Sequence, residues 1–194
     1  MQPIRSLSTA LIAGIMATVL LPPAAACGYH GTIGNYFSVM YPSSLVVAVA
    51  LKRASDEGVI DLGETRIGTR PTKQYLDAVR QLNKLQTALA KSVSPNDSPP
   101  SFSLGFIESG LWTRYSVTDG QVRMEVHVGG PAEGDAVVLT AEPVLARMLS
   151  GALPSEDALS RELIVIDAPI TRYQALHPFL TGAFLRSGEA PSAG

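Results

Sequence analysis

The chain has 194 residues, 46% hydrophobic and 16% charged, with a formal net charge of −2. That is enough chain to bury a core unaided, and too apolar a composition for a disordered segment. With no run of five Lys or Arg, the pattern also argues against nucleic acid as a partner.

The first 26 residues have the order of a signal peptide. Arg5 precedes an apolar run, Leu11 to Leu21, that is too short to span a bilayer comfortably. Pro22-Pro23 ends it, and Ala24-Ala25-Ala26 supplies the small residues before a cleavage point. The expectation is an exported protein, periplasmic or secreted, with no transmembrane segment in the mature chain. Cys27, the only cysteine, follows directly, so no internal disulfide is possible. It is a lipidation candidate, although Ala24 stands where a lipoprotein signal usually has Leu. Ordinary cleavage, leaving a free thiol or a bond to another molecule, is the alternative.

Residues 27–41 read as a Gly- and aromatic-rich arm. Pro42 suits the first turn of a helix over Ser43 to Glu57, with Gly58 at its end. The run Leu45 to Leu51 also has strand propensity. After a loop, Pro71 opens a second helix, in which Leu76, Val79, Leu82, Leu85 and Leu89 form one stripe. A Pro/Ser-rich linker, residues 92–101, follows. The period then changes to two. Strands are expected over 102–108, 111–117 and 122–128, with Asp119-Gly120 as a hairpin turn and His127 on the outward, polar face. A short strand at 136–139 leads to Thr140, which can cap a helix over 141–150 that Gly151 stops. A helical piece at 154–161, a strand at 163–166 and a helix at 170–186, which Pro178 should kink or split, complete the order. Residues 187–194 are expected to be a flexible tail. The fold class is therefore α/β (α+β): one antiparallel-rich sheet covered by helices, in a single domain over 42–186 with a helical N-terminal half.

No catalytic constellation can be assembled. Ser109 lies in a hairpin rather than a strand-to-helix elbow, and the glycines at 28, 31 and 34 precede no phosphate-binding Lys. Asp56-Glu57 and Glu156-Asp157 sit at helix ends, where solvation or capping explains them. Cys27 and His30 are weak metal candidates, two side chains of an incomplete site. No cofactor is expected.

From Phe102 to Ala168 the order is more specific. A hairpin with Trp112 and Asp119-Gly120 leads into DAVVLT (Asp135 to Thr140), EPVLARMLSGALPSEDAL (Glu142 to Leu159) and ELIVID (Glu162 to Asp167). This resembles the type-two sterol carrier family of lipid-transfer domains in Thr140, Leu145, Leu149, Gly151, Ala158 and Ile164 to Ile166. Glu162 and Ala168 stand where that pattern often has Gly. The resemblance implies a helix-roofed sheet enclosing an apolar cavity for acyl chains or sterols. Trp112, Met124, Leu145, Met148, Leu149, Phe179 and Phe184 are the candidate lining residues, with Leu153 and Leu180 adding apolar helix surface. The rival reading is a non-enzymatic protein with a filled core, serving an extracytoplasmic enzyme or complex.

Overall fold

A computed structural model describes residues 41–62, 71–94 and 99–188. The leader, Cys27, His30, nearly all of the arm and most of the C-terminal tail lie outside the described residues. The elements run α1 (Ser44–Asp56), α2 (Pro71–Ser92), β1 (Phe102–Phe106), β2 (Leu111–Thr118), β3 (Gln121–Val128), β4 (Ala136–Thr140), α3 (Glu142–Leu149), α4 (Ser155–Ser160), β5 (Val165–Asp167) and α5 (Ile170–Gly188). The five strands form one sheet in the order β3-β2-β1-β4-β5. It is mixed: β1 pairs parallel with β4, and the other three pairings are antiparallel.

The register sorts side chains onto two faces, because directly opposed residues point the same way and neighbours alternate. Phe102, Leu104 and Phe106 share a face with Tyr115, Val138 and Ile166. On that face Phe102 stacks on Tyr115 with ring centres 5.0 Å apart, and the Tyr115 hydroxyl donates to the Leu82 carbonyl of α2 at 3.0 Å. Leu82, Leu85 and Leu89 of the α2 stripe are fully buried, whereas Leu76 stays exposed. The opposite face carries Ser103, Trp112, Val137 and Asp167. Here Tyr41 meets Trp112 edge-on at 6.3 Å and Ser43 donates to Asp167 as α1 begins. The sheet is therefore covered by α1 on one side and by α2 to α5 on the other.

The Asp119-Gly120 turn forms as the sequence predicts, both residues having positive φ (53° and 71°). Two expectations need correction. Thr140 belongs to β4, and its hydroxyl donates to the Leu163 carbonyl at 2.9 Å instead of capping α3. His127 does not simply alternate outward: β3 slips by one residue between the partners of Trp112 and Thr113. His127 is the extra residue, at φ 71°, and its half-buried ring packs 5.5 Å from Tyr75 of α2. Of the two outcomes expected at Pro178, the split does not occur, since α5 continues through it.

Candidate functional site

The site is built where α5 crosses β5 and α4. β5 and the turn before it supply Ile166 and Ile164, α3 supplies Met148, and α4 supplies Ser155 and Leu159. From α5 come Leu180 and Phe184, with His177 and Thr181 one turn apart beside them. These side chains enclose a small, mainly apolar hollow of about 10 Å³. A water molecule needs roughly 10–15 Å³ measured in this way, so the hollow admits at most one small molecule as it stands. His177 stacks on Tyr173, one turn earlier on α5, with ring centres 5.3 Å apart. Its Nε2 lies 3.9 Å from a carboxylate oxygen of exposed Glu156. The Thr181 hydroxyl donates to the His177 carbonyl at 2.6 Å. Next in the chain is Pro178, which has no N–H for the carbonyl of Gln174.

Of the residues expected to line a cavity, Met148 and Phe184 do line this hollow. The other five lie elsewhere. Trp112 is on the far face of the sheet against Tyr41. Met124 is on β3, at the opposite edge of the sheet from β5. Leu145 and Leu149 are buried in the core, and half-buried Phe179 packs on its margin.

Two polar clusters escaped sequence reasoning. Glu108, in the turn after β1, reaches the N-terminus of α3, where one carboxylate oxygen accepts the Glu142 N–H. This supplies the cap that Ala141 cannot make. The other oxygen, Oε2, is shut off from solvent and has no partner. Burial pushes the Glu108 carboxyl up to about 7; the backbone bonds oppose this, and the nearby Glu142 charge adds to it. Glu142 is pushed up to about 7 as well, by burial and then by Asp77 of α2, against the pull of Arg80.

The second cluster joins the start of β4 to β1 and β2. Asp135 accepts bonds from Ser101 (2.6 Å), Ser103 (3.0 Å) and the Arg114 guanidinium (2.8 and 3.2 Å). Burial alone would raise its carboxyl; these donors outweigh that and hold it below its ordinary value. Its work is structural, pinning the parallel β1–β4 pair. The Asp135 carboxylate that the two serine hydroxyls reach is itself paired with Arg114, and among the described residues no three His, Cys, Asp or Glu side chains are placed to hold a metal ion. No helix among them is long and apolar enough to cross a membrane.

No family model and no curated protein matches the chain. Solved structures do. A crystal structure of sterol carrier protein 2 is similar over 59% of this chain and 95% of its own, at 20% identity and a TM-score of 0.42. Sterol carrier protein 2-like 2 from Aedes aegypti covers 54% of this chain and 96% of its own, at 15% identity and a TM-score of 0.42. The Aedes aegypti sterol carrier protein 2 in complex with palmitate covers 55% and 96%, at 14% identity and a TM-score of 0.40.

Proposed function

We propose that this domain is a binding protein, not an enzyme, and that it takes one end of a flexible apolar molecule into the hollow beneath α5. The observation that carries this reading is the hollow itself: aliphatic and aromatic side chains from four elements, with His177, Thr181 and Ser155 as its polar members. Ligand sites usually pair an apolar lining with a few polar groups that fix orientation. At about 10 Å³ the hollow is far smaller than the roughly 300 Å³ at the lower end of such sites, so a ligand must displace α5. α5 is suited to move, because Pro178 leaves its hydrogen-bond ladder one bond short beside His177.

The filled-core reading has its own support in that same small volume. In it, the domain holds nothing and serves an extracytoplasmic partner. Thermal shift with fatty acids, phospholipids and sterols separates the two. A ligand that binds only the folded state adds about 2.7 kcal/mol at a hundredfold excess over Kd. Met148→Trp should abolish that shift, at a cost of about 1–3 kcal/mol to the free protein, because Met148 is buried beside a hollow far too small for the added ring. If no lipid shifts the melting temperature of the unaltered protein, the core is solid and the binding reading fails.

Export belongs to the same proposal, on the strength of the leader. Material recovered from the native host should begin within two residues of Cys27, and a diacylglycerol mass on that residue would make it a lipoprotein. Intact mass that includes Met1 in exported material would refute cleavage.

A further inference from the structure

We propose that the outer edge of β3 is a self-association surface, through which two copies of the chain join their sheets antiparallel about a two-fold axis at Met124. In the sheet order β3-β2-β1-β4-β5, β3 has a neighbour on one side only among the described residues, and at eight residues it is a long edge strand. Such an edge presents unpaired N–H and C=O groups and is a template for another strand. Which groups face outward follows from one bond: the Val122 carbonyl accepts from Gln86 Nε2 of α2 at 3.0 Å, so it is not engaged with β2. By strand alternation the main-chain groups of Met124 and Val126 face the same way.

The sequence of the edge is complementary to itself in one register. With Met124 opposite its copy, Val122 meets Val126 of the second chain, and Arg123 meets Glu125 in both directions. Arg123 and Glu125 are exposed on the face away from α2; within the sheet Arg123 lies opposite uncharged Ser116 and Glu125 opposite Arg114, whose guanidinium is held by Asp135. Sliding the pair to centre on Arg123 places two guanidinium groups opposite each other, and centring on Glu125 opposes two carboxylates. Opposite charges directly across an antiparallel pair stabilise it and like charges destabilise it, so the charges select the Met124 register. Val122, Met124 and Val126 are only partly buried in the single chain, and pairing would cover their outer sides. The Gln86 amide is the competitor, since it must release Val122 for the second chain to bond there.

Sedimentation of the purified chain as a function of concentration is the test. The chain should dimerise reversibly. Arg123→Glu, which faces uncharged Ser116 within its own sheet, should weaken the dimer by about tenfold or more through two like-charge contacts. The double variant Arg123→Glu, Glu125→Arg should restore it in part, because the new Arg also faces Arg114 of its own chain. In a Cys27→Ser background, Met124→Cys should form an intermolecular disulfide on oxidation, because bonded antiparallel partners lie about 5.5 Å apart at Cα. Thr118→Cys, far from the axis, should not. A chain that stays monomeric, a dimer indifferent to Arg123→Glu, or an edge that takes only a strand of another protein would each overturn the proposal. Circular dichroism of every variant separates loss of association from loss of fold.

Discussion

Glu108 makes stability depend on pH in a direction most proteins do not show. Its carboxyl is buried with one oxygen unpartnered, and burial carries it from 4.5 up to about 7. A group whose folded value is raised binds its proton more tightly in the folded state. Its contribution is therefore complete below about pH 4.5 and disappears as pH rises through about 7. A rise from 4.5 to about 7 corresponds to at most about 3 kcal/mol, since the carboxyl's Oε2 is shut off from solvent but the residue as a whole is half-buried. Glu142, partly open to solvent, should add a smaller effect of the same sign. Asp135 does not compete in this window. Its value is depressed, so its contribution is present above about 4 and is lost only in stronger acid. Guanidinium unfolding, followed by the single buried Trp112, should give lower stability at pH 8 than at pH 5. Glu108→Gln keeps an acceptor for the Glu142 N–H and cannot ionise, so most of the pH 5 to pH 8 difference should vanish in it. A wild-type stability that is flat or rising across this range, or a fall that persists in Glu108→Gln, would refute the reasoning.

Asp135→Asn should cost about 2 kcal/mol in the same unfolding assay, because it removes the charge from bonds to two hydroxyls and a guanidinium on adjoining strands. Glu162→Gly should gain about 0.5 kcal/mol: Glu162 is exposed at φ 59°, a backbone conformation that costs a residue with a Cβ, whereas Glu162→Ala should gain nothing. Met148→Trp should abolish lipid-induced thermal shifts and cost the free protein about 1–3 kcal/mol, since the hollow beside buried Met148 is too small for the added ring.

The fold was legible where local chemistry decides it. The α2 stripe of Leu82, Leu85 and Leu89 and the Asp119-Gly120 turn could be read directly, because helical spacing and positive-φ residues act over a few positions. The parallel pairing of β1 with β4 could not, since β4 reaches β1 only after the whole β2–β3 hairpin. The bulge at His127 was hidden by regular alternation from Val122 to Val128; the extra residue appears only when β3 is laid against β2.

The site was legible in part, for a related reason. Residue type identifies large apolar side chains but not the face they occupy. Trp112 follows Leu111 by one position and so points to the other side of the sheet, towards α1. Met148 and Phe184 reach the hollow because α3 and α5 turn those positions towards β5. Glu108 read as the end of a strand, and nothing local shows that its turn meets the start of a helix 34 residues later. The positive φ at Glu162 did have a signal, since the resembling family often has Gly there.

The central claim is that an apolar chain enters beneath α5, and methyl NMR tests it most directly. With the methionine methyls labelled, Met148 lies in the hollow and Met124 at the far edge of the sheet, two strands beyond β1. Titration with a long-chain fatty acid should shift the Met148 methyl to a saturating end point and leave Met124 in place. A Met148 methyl that does not move under any lipid, or methyls that all drift together without saturation, would contradict the account.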